Sequence, residues 1–120
     1  MTADIIKVSS STDPDLPALS VHNELFSRRS ALLHGVMRED TQLPLGHLAL
    51  ELYIGSLYGM PIWEGSSDLT YVEELELLGE MYAFALDYED GQAQDSSLDA
   101  IRDIICSEHD RVTLSEAAGA

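Results

Sequence analysis

A single cysteine, Cys106, stands among 120 residues. No internal disulfide and no cysteine-rich zinc site can form from it, and such usage suits a reducing compartment. Basic residues are scarce too, with 6 Lys and Arg against 22 Asp and Glu, for a formal charge of −16. Neutralising phosphates takes clustered Lys and Arg, so nucleic acid is not an expected partner. An anionic lipid surface is excluded on the same ground. Apolar runs are broken by charges well before the ~20 residues that a membrane-spanning helix needs. The chain does not open on a basic segment followed by an apolar one, as a secretory leader would. The expected location is therefore intracellular, in cytoplasm or nucleus. What is present is an apolar fraction of 45%, enough for a packed core and too high for a disordered acidic tail. The length suits one domain, placed over residues 1–110, with a frayed tail over 111–120.

Local pattern gives the element order. Ala3 to Val8 is short and β-branched, and Ala18 to His22 alternates apolar and polar residues, so both read as strands. The segment between them is rich in Ser, Asp and Pro and reads as the loop of an antiparallel hairpin. From Asn23 the period becomes helical: Leu25 and Phe26, Leu32 and Leu33, Val36 and Met37. Asn23 is expected to cap a first short helix and Ser30 a second. Thr41 to Leu45 is a short extended piece, and Pro44, which lacks an N–H, places it at a sheet edge. His47 to Leu57 is apolar on most sides, with Glu51 its only charge, so it is expected to be a core helix. Gly59 and Pro61 should end it. Thr70 and Glu73 have the spacing of a capping box. Behind them Leu75, Leu78, Met81, Tyr82, Ala85 and Leu86 share one helix face, while Glu73, Glu76 and Glu80 share another. Asp87 to Gln94 is a polar break. A second capping signal, Ser96 to Asp99, precedes an apolar stripe of Leu98, Ile101, Ile104 and Ile105. The expected class is α+β, with a small N-terminal sheet packed beside four to five helices.

Chemistry-bearing residues do not converge in the sequence. His22, His34, His47 and His109 fall on different elements, without Cys-x-x-Cys or His-Glu-x-x-His spacing, so no metal site is expected. Cys106, on the apolar stripe of the last helix, reads as a small buried hydrophobe rather than a nucleophile. No Gly-rich phosphate loop and no nucleophile elbow occurs. Neither enzyme activity nor a cofactor is expected.

Leu19 to Ser30 (Leu-Ser-Val-His-Asn-Glu-Leu-Phe-Ser-Arg-Arg-Ser) resembles the strand-to-helix signature of the BTB/POZ family. Leu52-Tyr53-Ile54 and Leu57-Tyr58-Gly59 resemble that family's central helix and its ending. Leu75 to Tyr88 resembles its Ala-rich acidic helix, and Leu98 to Ile105 the helix that closes the domain. The ordered match runs from about Ile5 to Cys106, and its signature positions are Val21, His22, Leu25, Ser30, Tyr53, Tyr58 and Gly59. The closest style is that of short, stand-alone, fungal-type members. Asn23 stands where the family often has a basic residue, and Leu32-Leu33 where it often has an aromatic.

The resemblance implies a protein–protein interaction domain that self-associates as a homodimer or docks a partner. One such role is a substrate adaptor of a cullin-type ubiquitin ligase. For that role Met37-Arg38-Glu39 matches an apolar-x-Glu pattern, with Met37 filling a pocket on the cullin scaffold and Glu39 orienting it. Leu32 and Leu33 complete the candidate partner-binding set. The alternative at these positions is that Met37 finishes the helix core and the charged residues form a turn. A reading of another class takes the −16 charge at face value: an acidic decoy or inhibitor that mimics nucleic acid and binds a basic protein.

Overall fold

A computed structural model describes residues 5–36, 41–63 and 68–119, with side chains as far as Ser107, that of residue 36 excepted. Among the described residues the protein is a small α+β domain of three strands and five helices. The strands are β1 (Ile5–Ser10), β2 (Leu19–His22) and β3 (Thr41–Leu43). The helices are α1 (Glu24–Ser27), α2 (Ala31–Val36), α3 (His47–Leu57), α4 (Tyr71–Asp87) and α5 (Gly91–Gly119).

The sheet order is β2-β1-β3. β1 and β2 form the expected antiparallel hairpin, with Ile6 opposite Val21 and Val8 opposite Leu19. β3 returns parallel to β1, pairing Val8 with Thr41 and Ser10 with Leu43. Pro44 follows this edge strand, where its missing N–H costs no ladder bond. Alternation does the rest: Ile6, Val8 and Ser10 face inward while Ile5 and Lys7 face out. On the inner face lie Leu50, Tyr53 and Leu57 of α3 and Leu78, Met81 and Phe84 of α4, in one core. Tyr53 meets Phe84 edge-on at 5.0 Å between ring centres, and Phe84 lies 4.7 Å from Tyr88, which joins the two helices through aromatic contacts.

The helix ends follow their sequence signals in most places. Ser30 Oγ accepts the amides of Leu32 and Leu33 and donates to the Tyr88 carbonyl. Thr70 and Glu73 form the reciprocal capping box at the start of α4. The α3 helix ends in a Schellman pair: the Gly59 amide donates to Ser56 O and the Met60 amide to Gly55 O. Gly59 takes φ 91° there, the left-handed region in which a Cβ is strained. A second Schellman pair closes α4, from Glu89 to Leu86 O and from Asp90 to Ala85 O. At that end the left-handed residue is Glu89, with φ 58°.

Five expectations are corrected. Asn23 stands at the N-cap of α1, but its side chain makes no cap bond, and its buried Oδ1 has no partner among the described residues. Its helical backbone (φ −56°, ψ −34°) is not the extended cap geometry that aims the side chain at the first amides. Ser96 to Asp99 lies inside α5, which starts at Gly91 behind the Asp90 cap. The side of α5 that packs on the core is Ala93, Ser97, Ala100 and Ile104, at positions i, i+4, i+7 and i+11. Leu98 and Ile105 each stand one residue further round and are exposed, while Ile101 stays partly buried. Cys106, two residues past Ile104, is exposed rather than buried. Leu86, expected in the core, is exposed as well.

Candidate functional site

A charged junction links elements distant in sequence. Asp90, in the turn between α4 and α5, accepts the Ala93 amide at 3.0 Å and so caps α5. Its carboxylate also takes the Tyr53 hydroxyl of α3 at 2.7 Å. Arg29, just beyond α1, places Nη1 3.3 and 3.2 Å from the two carboxylate oxygens and donates from Nη2 to the Ser56 carbonyl at 2.7 Å. The Asp90 side chain is 0% exposed and that of Arg29 8%. Burial, the adjacent Asp90 charge and the hydrogen bond to it hold the Tyr53 phenol well above the ordinary tyrosine range. Each charge is therefore matched by hydrogen bonds, as a buried pair requires. The junction ties α1, α3 and the α4–α5 turn into one body.

A second contact binds the hairpin to the same helix. The Tyr58 hydroxyl accepts the His22 amide at 3.0 Å and lies 2.7 Å from His22 Nδ1. Val21, next to it, is fully buried on the sheet's inner face, and Leu25 packs against the core. Of the signature positions, His22 thus meets Tyr58, Ser30 reaches Tyr88, Tyr53 holds Asp90, and Gly59 turns the chain after Tyr58. The observed partner of His22 is thus the Tyr58 side chain.

A third cluster holds the start of α3. Gly46 has no side chain to act as a cap, so Asp13 Oδ2 accepts the His47 amide at 2.8 Å, and Glu80 accepts the Gly46 amide. His47 Nε2 lies 2.6 Å from Glu51. Other acids pair along the surface, Glu24 with Arg28 and Asp99 with Arg102, each at 3.7 Å. Among the described residues no three His, Cys, Asp or Glu side chains gather as metal ligands. No helix among them is long and apolar enough to cross a membrane.

The proposed docking residues fall unevenly. Leu32 is exposed on α2, whereas Leu33 beside it is buried in the core, so of this pair only Leu32 presents its side chain to solvent. Met37 and Glu39 lie outside the described residues. No protein-family model, curated protein or solved structure matches the chain. Its own residues carry the functional argument. Reading the sequence missed Asp90, Arg29, Asp13 and Glu80. For Asp90 a local signal was present, an acid three residues before Ala93, the spacing of an N-cap. For the other three the partners stand 34 or 61 residues away.

Proposed function

We propose that the chain is a BTB/POZ-like protein-interaction domain that acts by self-association or by docking a protein partner. The observation that carries the reading is how the signature residues meet: His22 on Tyr58, Tyr53 on Asp90, and Gly59 at the left-handed turn that ends α3. A hairpin, two short helices, an edge strand, a central helix and a closing helical pair stand in the order of the resembling segments. These side chains hold the framework, and association then falls to exposed apolar groups such as Leu32.

For docking, the role we propose is substrate adaptor of a cullin-type ubiquitin ligase, with Met37 and Glu39 as the contact pair. Light scattering on the purified chain, together with a cullin pull-down, tests both roles. A dimer, or cullin capture that Met37→Asp and Glu39→Lys abolish, supports the reading. A strict monomer that captures no cullin overturns it.

A further inference from the structure

Strand β2 is an edge of the sheet, and the hydrogen bonds around it fix which of its main-chain groups face away. The Ser11 amide donates to the Leu43 carbonyl. Odd-numbered residues of β1 therefore turn their main-chain groups toward β3, and even-numbered ones toward β2. Ile6 and Val8 thus exchange bonds with Val21 and Leu19, the residues opposite them. That leaves the N–H and C=O groups of Ser20 and His22 pointing out of the sheet. The His22 amide shows this directly, since it donates to the Tyr58 hydroxyl at 3.0 Å. Ser20 is exposed, and its outward groups have no such partner among the described residues. The edge is closed at His22 and open at Ser20.

Proteins guard an open edge with a charged side chain, a proline or a bulge, and Leu19–His22 holds none of them. From Leu16 to Asn23 the chain carries no Asp, Glu, Lys or Arg, and exposed Asp15 and Glu24 bracket that run. Apolar surface lies at both ends, with Leu16 45% exposed and Tyr58, against His22, 49%. Outward N–H and C=O groups on one strand are matched by the backbone of another extended chain. We propose that the β2 edge takes an extended segment of another protein as a further strand, apolar at alternate positions and with Lys or Arg at its flanks. The main chain of that segment pairs with Ser20, and its inward side chains continue the surface of Leu19, which packs against the core. Its basic flanks meet Asp15 and Glu24. A second copy of this chain is the wrong occupant, because it brings the same acids and another charge of −16 to the contact. The inference rests on the reading that the chain docks a protein partner, and it gives the contact segment of that partner its chemistry. With four residues in the strand, few main-chain bonds form and the docking is weak.

The probe is a displayed library of random linear peptides selected on the full chain, followed by amide hydrogen exchange with the selected peptides. In the free chain the Ser20 amide should exchange far faster than those of Leu19 and Val21, which β1 holds, and a bound peptide should slow it. Selected sequences should show the alternating apolar pattern with Lys or Arg at the flanks, and their binding should weaken as salt rises. Ser20→Pro deletes the outward N–H and leaves the β1 ladder alone, at a place where an edge strand tolerates proline. It should weaken binding by roughly tenfold or more. Ser20→Ala keeps the N–H and should bind as the wild type does. If circular dichroism shows the proline variant unfolded, methylating the backbone nitrogens of the peptide one at a time makes the same cut from the other side. At least one methylation should then abolish binding with every side chain kept. Peptides that leave the Ser20 amide as fast as before, bind folded Ser20→Pro as tightly, or tolerate every methylation overturn the edge while the docking reading stands. A chain that selects no peptide yet captures a cullin does the same. A chain that selects no peptide and captures no cullin overturns both.

Discussion

Replacing Asp90 by alanine removes one carboxylate and strands three groups. The Arg29 guanidinium loses its counter-charge at 3.2 Å while its side chain is 8% exposed, although its bond to Ser56 O survives. The Tyr53 hydroxyl loses its acceptor at 2.7 Å, and the first turn of α5 loses its cap. Breaking a buried pair by removing one partner costs about 3–5 kcal/mol, and loss of an N-cap alone about 1 kcal/mol. Both effects act through one side chain and do not sum, so the expected loss is about 4 kcal/mol. Against a typical stability of about 5–15 kcal/mol, that leaves the domain marginal. In urea, with a slope of about 2 kcal/mol per molar, the midpoint should fall by about 2 M. Asp90→Asn keeps one acceptor oxygen, which can serve the Ala93 amide or the Tyr53 hydroxyl but not both, and is expected to lose less than the alanine. Removing both charges, in Arg29→Met with Asp90→Ala, should cost less than the two single losses added together. A loss below about 1 kcal/mol for Asp90→Ala would refute the reasoning, since the junction would then hold nothing together.

The two Schellman ends of α3 and α4 give opposite expectations in thermal unfolding. Gly59→Ala forces a Cβ into φ 91° and should cost about 1–2 kcal/mol, whereas Glu89→Gly relieves φ 58° and should gain up to about 1 kcal/mol. Thr70→Ala breaks the capping box and should cost about 1 kcal/mol in urea melts. Glu73 belongs to the same box, and the Thr70 amide and hydroxyl hold its carboxyl below the ordinary value of 4.5. Its contribution is present above that value and fades as pH falls through the lowered pKa; Glu73→Ala should flatten the acid limb of the stability curve. For Tyr53 the folded pKa lies above the unfolded one, so above about pH 10 the unfolded state alone releases the proton, and stability falls as pH rises. Absorbance at 295 nm should show one of the five tyrosines ionising only together with unfolding, and Tyr53→Phe should remove that step.

The parts of this fold that could be read from sequence are those fixed by neighbours a few residues apart. His47–Leu57, the Thr70/Glu73 box, the Ser30 cap and the Gly59 stop are all set within one or two helical turns, where periodicity and capping chemistry act. The hairpin followed from one short β-branched run and one alternating run. What stayed hidden depends on distance or on phase. Arg29 looks like half of a surface dibasic pair until a chain 61 residues away brings Asp90 to it. Glu80 looks like one more exposed acid of α4, yet it holds the amide of Gly46. A test of the acidic-mimic reading that substitutes Glu80 would therefore disturb the start of α3, and the exposed Glu76 is the cleaner probe. Phase decided Cys106: it stands two residues, about 200° of helix turn, past inward-facing Ile104 and so faces outward. On α4 the six residues assigned to one face span more of the helix than the core covers, and Leu86 at their edge is left outside it.

The measurement that bears most directly on the central claim is the mass of the purified chain by light scattering, alone and mixed with a cullin scaffold. The interaction-domain account expects a mass above 13.2 kDa that grows with concentration, or co-elution with the cullin that depends on Met37 and Glu39. A chain that stays at 13.2 kDa throughout and leaves the cullin alone would contradict it.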